Sequence, residues 1–359
     1  MNQIQDNAAN ALVGRQLKNG WTVTKRIEPK EGSTGGFFSV CYVVSTGDKE
    51  AFLKALNFNA FFQLFRGKSV VEIINEQTKA YQFEKELLLK CKNNRLSKVS
   101  MIIDEGEEFV DGFVISNVPY LIFEMANGDV RSHMNFSKDI DLAWKLKSLH
   151  DVAVGLKQLH GIEIGHQDLK PSNVLLYEDG FISKVGDLGR SLCADLDAPH
   201  DNGVDFPGEF TYAPPEYLYR FVEPDWNKRV RATDMYLFGS LVTYYFLGTN
   251  MTTLVGKNLD RQFRWGIWRG NFLDVKDYLI DAFYKAIKEF KSSFSNQDLA
   301  DELAEVLEYC CFPYPDKRGH PKAISQIGNQ YDFQRVVSKF DLLSKRASYQ
   351  LKKWQSYTK

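Results

Sequence analysis

His166-Gln167-Asp168-Leu169-Lys170-Pro171-Ser172-Asn173 sets a carboxylate, an amine and a carboxamide within one short polar run. An aspartate can accept the proton of an attacking hydroxyl. A lysine can face an anion, and an asparagine offers a neutral oxygen to a hard cation. Fourteen residues beyond Asn173 stands Asp187, followed by Leu188 and Gly189. A second carboxylate at the end of a short hairpin suits Mg²⁺, which prefers oxygen ligands.

Outward from this run the chain is ordinary in composition. It has 359 residues, 44% hydrophobic and 25% charged, with a formal net charge of −1. That length points to two domains or one large bilobal one. Near-zero net charge argues against a general nucleic-acid binder. No apolar run reaches the roughly 20 residues of a membrane span. The longest, Leu237 to Leu247, contains Gly239 and Ser240, follows Asp234 and reads as a buried helix. Met1 to Arg15 is polar, so no signal peptide is expected. Five cysteines without a CxxC spacing fit a reducing, cytoplasmic setting better than a disulfide framework or a zinc site. The adjacent Cys310 and Cys311 read as small buried apolar residues.

The first part of the chain is strand-rich. Trp21 to Ile27, Phe37 to Val44 and Ala51 to Leu56 are β-branched or aromatic runs separated by Gly-containing turns. A helical stretch follows, then strand again at Met101 to Ile103 and Tyr120 to Phe123. Beyond Met125 the pattern is mostly helical. Leu149, Val152, Leu156 and Leu159 recur at helical spacing up to His160-Gly161. The expected architecture is α+β with two lobes and a hinge near Glu124 to Gly128. The expected boundaries are an N-terminal extension at 1–19, a β-rich lobe at 20–125, a helical lobe at 126–332 and a basic helical tail at 333–359.

The segment from His166 to Gly189 resembles the catalytic loop and metal-binding triplet of eukaryotic-type protein kinases. The fold implied is the bilobal kinase fold, a β-rich N-lobe with a C helix and a mainly helical C-lobe. The activity implied is transfer of the γ-phosphoryl of ATP to a protein hydroxyl, with Mg²⁺. Such transfer asks little covalent chemistry of a protein and depends on charge neutralisation and alignment. By the resemblance Asp168 is the catalytic base, Lys170 faces the γ-phosphate, and Asn173 and Asp187 hold the metal. Gly35, Gly36 and Phe37, in Ser33 to Val40, match a phosphate-covering loop, with Val40 against the base. Lys54 matches the strand lysine on the α- and β-phosphates. Its expected partner is Glu84, which has Leu87, Leu88 and Cys91 at +3, +4 and +7; Glu86 is the runner-up. Glu124 to Ala126 would give backbone contacts to adenine, behind Phe123, and Asp129 would reach the ribose. Gly208 to Glu216 resembles the end of an activation segment, Asp234 to Gly239 the DxWxxG helix, and Arg318 the arginine that pairs with Glu216.

Four positions depart from the pattern. Gln167 replaces the arginine that clamps a phosphorylated activation loop, although Ser191 and Thr211 remain candidate phosphorylation sites. Ser33 and Phe38 replace two loop glycines. Phe52 stands where a small alanine lies above adenine, so its ring either turns aside or weakens nucleotide binding. Glu209 replaces a threonine and is expected to pair with Lys170. Lys170-Pro171 resembles the serine/threonine branch of the family, so serine/threonine acceptors are expected; autophosphorylation is a further expectation. The alternatives are a pseudokinase scaffold and, third, a small-molecule phosphotransferase of related fold.

Two stripes and one charged segment lie outside these landmarks. Phe58, Phe61, Phe62 and Phe65 fall at helical spacing and read as a helix packed on the N-lobe, with a partner or dimer contact as the alternative. Phe333, Val336, Phe340 and Leu343 form a similar face near the C-terminus, flanked by basic residues, and are expected to pack on the C-lobe, with binding of an anionic surface, a partner or a second copy through this tail as the alternative. Asp195, Asp197, Asp201, Asp205 and Glu209 make the segment after Arg190 acidic. It is expected to be a solvated loop or, more sharply, an attractor of basic protein substrates.

Overall fold

The computed structural model describes residues 7–28, 39–65, 67–136, 140–325 and 330–357. The chain divides into two compact units, Met1–Arg95 with Ser100–Ala126 and Leu96–Val99 with Asn127–Lys359.

In the first unit β1 (Thr22–Ile27), β2 (Ser39–Thr46) and β3 (Lys49–Leu56) precede α1 (Phe58–Leu64) and α2 (Val70–Asn93). Then come β4 (Ile102–Phe109) and β5 (Asn117–Glu124). The five strands form one antiparallel sheet in the order β1-β2-β3-β5-β4. Strand alternation sends Ala51, Leu53 and Ala55 of β3 into a core with Tyr42, Val44, Tyr120 and Ile122. Phe52 and Lys54 therefore project from the other face. The stretch before β1, polar by composition, supplies Ala8, Ala9, Leu12 and Leu17 to the same core, and Tyr42 Oη donates to the Ala9 carbonyl at 2.5 Å.

Both helices of this unit start at side-chain caps. Asn57 accepts from the Ala60 N–H, and α1 packs on α2 with Phe58 and Phe61 buried. Ser69 and Glu72 form a reciprocal capping box that satisfies two N-terminal donors of α2. Phe83, Glu84, Leu87, Leu88 and Cys91 make its buried face.

The second unit opens with β6 (Gly128–Asp129), α3 (Val130–Phe136) and α4 (Leu142–His160), followed by β7 (Ile164–Gly165), β8 (Val174–Tyr177), β9 (Ile182–Val185) and β10 (Leu192–Cys193). The remaining helices are α5 (Pro215–Leu218), α6 (Trp226–Leu247), α7 (Met251–Asn258), α8 (Lys276–Ser292), α9 (Gln297–Cys311), α10 (Pro321–Ile324) and α11 (Gln334–Tyr357). β8 lies between β6 and β9, and β7 pairs with β10. α6 is buried along most of its length and packs against α9. At Gly239 an added Cβ would run into Cys311 Sγ and lie 3.0 Å from Cys310 Cβ, so this crossing needs glycine. Both cysteines are fully buried there, as small apolar packing residues. α11 packs along α4. Its face of Val336, Phe340 and Leu343, together with Phe333, is buried, and the rings of Phe333 and Phe340 meet Phe238 edge-on at 5.7 and 5.5 Å. Each such fully buried ring stabilises the fold by about 1.5–3 kcal/mol. Among the described residues no helix is long and apolar enough to cross a membrane.

Candidate active site

The residues singled out from sequence fall into two groups, one in each unit. In the first unit Lys54 Nζ lies 2.7 Å from Glu84 Oε1. Strand β3 delivers the lysine and the buried face of α2 delivers the acid. Glu86, two positions on, is exposed. Val40 is buried at the start of β2. Gly35, Gly36 and Phe37 lie outside the described residues. Phe52 is paired in register with Phe123 across β3 and β5, and their rings lean together with centroids 6.4 Å apart. Glu124 uses its N–H on the Met101 carbonyl and its carboxylate on the Met101 N–H, at 3.2 and 2.9 Å. Ala126 follows just beyond the end of β5, partly buried.

In the second unit the loop between β7 and β8 carries Asp168, Lys170 and Asn173. Lys170 Nζ donates to Asp168 Oδ2 at 2.9 Å. Asn173 Nδ2 donates to the Asp168 carbonyl at 2.8 Å and to Oδ2 at 3.1 Å. The remaining carboxylate oxygen, Oδ1, accepts the Glu209 N–H at 2.7 Å. Glu209 Oε2 is 3.2 Å from Lys170 Nζ, the pairing expected from sequence. Burial opposes the Lys170 charge, but Asp168 and Glu209 outweigh it and raise the ammonium above the usual lysine range. Burial would likewise raise Glu209; the Thr211 hydroxyl and Lys170 more than offset it, so this carboxyl lies below its ordinary value.

Asp187 follows β9 in left-handed backbone, φ 59° and ψ 76°. Aspartate tolerates that region better than most side chains. The β8–β9 register sets Val174 opposite Val185, and the Gly186 N–H donates to the Asn173 carbonyl at 2.9 Å. Asn173 and Asp187 thus leave the same end of one hairpin. With Asn173 Nδ2 committed to Asp168, its Oδ1, held by no more than a long 3.4 Å contact from the Ser172 hydroxyl, is the end that can turn to a cation. One carboxylate and one amide oxygen fit Mg²⁺, which keeps waters and phosphate oxygens in its other positions. Asp129 accepts from both the N–H and the hydroxyl of Ser132, at 2.9 and 2.8 Å, and so caps α3.

The sequence marked Asp234 as a landmark without assigning it a job. Its fully buried carboxylate takes the backbone N–H groups of His166 and Gln167, each at 2.8 Å. His166 Nε2 in turn faces the Gly186 carbonyl at 3.0 Å. Gln167, in the place of the usual arginine, is fully buried and directs Nε2 to the Val230 carbonyl and to Asp234, both at 2.9 Å. Arg318 forms a two-pronged pair with Glu216, both contacts at 2.6 Å, and lies over the Tyr236 ring. The acidic segment is partly neutralised from outside: Asp201 takes both guanidinium nitrogens of Arg229, on α6, at 2.9 Å.

The chain belongs to the protein kinase family: the description "Protein kinase domain" matches residues 65–327. Over 171 residues, 44% of this chain and 18% of the relative, it is 33% identical to a "probable receptor-like protein kinase" of Arabidopsis thaliana. Over 252 residues, 64% of this chain and 25% of the relative, it is 28% identical to a second Arabidopsis protein of the same description. Cyclin-dependent kinase-like 2 of Homo sapiens is 30% identical over 130 residues, 36% of this chain and 25% of that protein. The chain spans about a fifth to a quarter of the length of these curated relatives.

Proposed function

We propose that this chain is an ATP- and Mg²⁺-dependent protein kinase that phosphorylates serine or threonine hydroxyls of proteins, its own among them. The observation that carries the reading is the Asp168 carboxylate, bracketed by Lys170, Asn173 and the Glu209 N–H on a loop tied to buried Asp234. Asp168 accepts the hydroxyl proton as the acceptor oxygen attacks, and Lys170 faces the transferring group. Lys54, held by Glu84, anchors the α- and β-phosphates. The backbone of Glu124 to Ala126 contacts adenine against Val40, and Asp129 approaches the ribose. Gly35, Gly36 and Phe37 cover the phosphates. Mg²⁺ on Asn173 and Asp187 would supply charge neutralisation to the phosphate oxygens. The cysteine set, odd in number and without a CxxC spacing, supports a reducing, cytoplasmic setting.

Incubating the purified chain with γ-labelled ATP and Mg²⁺, alone and with cell lysate, tests the reading. Label should enter this chain and protein substrates at serine or threonine. Asp187→Asn and Lys54→Ala should each abolish incorporation with an unchanged far-UV circular dichroism spectrum. Incorporation retained by Asp187→Asn would overturn the metal assignment. Phe52, on the same face of β3 as Lys54, favours a second reading as a nucleotide-poor scaffold. A thermal shift with ATP and Mg²⁺ supports the enzyme; its absence supports the scaffold.

A further inference from the structure

Gly208 and Glu209 press directly on the loop that carries Asp168. A Cβ built on Gly208 would stand 2.9 Å from Asp168 Oδ1 and closer still to the Gln167 carbonyl oxygen, so no side chain fits there. That approach gives the Glu209 N–H its 2.7 Å bond to Asp168 Oδ1. It also brings the Glu209 side chain to Lys170, with Oε2 3.2 Å from Nζ, while the Thr211 hydroxyl donates to Oε1 at 2.8 Å. The guanidinium of Arg131 adds positive potential on the same carboxylate.

An ammonium has three N–H donors. One reaches Asp168 Oδ2, and Glu209 Oε2 attracts the ammonium as an ion pair at 3.2 Å without taking a hydrogen bond. Both carboxylates stand on backbone joined by the Glu209 N–H bond, so together they fix where the ammonium sits while its other donors stay available. We propose that Glu209 is a positioning residue: its carboxylate holds the Lys170 ammonium where its remaining donors meet the transferring phosphoryl group. This rests on the kinase reading above. An ammonium position set before the reaction lowers the barrier without tightening the ground state, so the effect belongs in kcat and not in nucleotide affinity. The backbone N–H to Asp168 survives any side-chain change at 209, which separates the carboxylate's work from that of the backbone.

Two measurements on Glu209→Gln, with Glu209→Asp as the conservative variant, test the proposal. The first is acylation of Lys170 by an N-hydroxysuccinimide ester, read by mass spectrometry against the solvent-facing lysines of the same chain. Loss of the carboxylate should speed Lys170 labelling about tenfold in Glu209→Gln, with Glu209→Asp between it and wild type. The second is steady-state phosphotransfer, where kcat should fall about tenfold and KM for ATP stay within about twofold, partly rescued in Glu209→Asp. Unchanged labelling in Glu209→Gln overturns the proposal whatever the wild-type activity. Faster labelling with unchanged kcat also overturns it, leaving a structural ion pair only. A wild-type chain that transfers no phosphate defeats the kinase reading, and labelling alone then decides whether Glu209 holds Lys170.

Discussion

Asp234 Oδ1 accepts twice from Gln167, from its backbone N–H at 2.8 Å and from its side-chain Nε2 at 2.9 Å. Oδ2 takes the His166 N–H and faces His160 Nε2, each at 2.8 Å. Four groups from two neighbouring segments therefore converge on one buried carboxylate of α6. The left-handed backbone of Gln167, φ 62°, is held in place by these bonds.

Removing that acceptor strands buried donors. Asp234→Ala should lower the unfolding free energy by about 3–5 kcal/mol, because the partners lose both their bonds and access to water. Urea denaturation followed by circular dichroism measures it. A loss below about 1 kcal/mol would mean that the loop finds other partners.

The Glu216–Arg318 pair makes a different prediction. Arg318 is fully buried and also donates to the carbonyls of Phe312, Ala232 and Pro313, at 2.8, 3.3 and 3.2 Å. Glu216→Gln leaves that guanidinium charge uncompensated and should cost about 3–5 kcal/mol. Replacing both residues together, as Glu216→Gln with Arg318→Met, should cost less than the sum of the single changes, since no unpaired charge remains. A double-mutant cycle in denaturant reads the coupling, and additive single effects would sink this account.

Lys54 and Glu84 carry the third prediction. Glu84→Gln replaces a charge-assisted bond of 2.7 Å by a neutral one and should lower kcat/KM about 10- to 100-fold. Glu86→Gln, on the exposed side of the same helix, should change it less than twofold on the order of surface substitutions generally. Equal losses in the two variants would remove the distinction between the two acids.

How far the sequence reached differed between the parts. The strands of the first unit, the stop of α4 at Gly161 and the two phenylalanine stripes were legible, because alternation and helical spacing repeat over many residues, whereas the two- to four-residue strands β6 to β10 are too short to show a period. Glu84 stood out over Glu86 because an apolar face follows it at +3, +4 and +7. What stayed hidden depends on contacts distant along the chain. Nothing local marks Ala8, Ala9, Leu12 and Leu17 as core, since their partners on β2, β3 and β5 lie far along the sequence. Asp234 was visible as a motif, yet its service to His166 and Gln167 crosses more than sixty residues. Glu209 was suspected of reaching Lys170, but its backbone bond to Asp168 has no side-chain signature, because any residue except proline carries that N–H.

Asp151 links stability to acid. Its carboxylate is buried on α4, where it meets Lys98 at 2.8 Å, His150 at 3.3 Å, the Ser183 N–H at 3.2 Å and the ammonium of Lys147. Burial raises its pKa, but His150, Lys147 and Lys98 together outweigh burial and lower the group from 3.8 to about 2. A carboxyl depressed in the folded state contributes its full stabilisation above the ordinary value and loses it as pH falls toward the folded one. The window therefore runs from about pH 4 down to about pH 2, and the contribution is about 1–2 kcal/mol after allowance for solvent screening. Asp151→Asn has no proton to take up there. The stability gap between wild type and this variant should be widest above pH 5 and should narrow steadily through that window. Chemical denaturation at several pH values reads the gap directly, and one that stays constant from pH 5 to pH 2 would show that the pairing with Lys98 and Lys147 does not set the acid response.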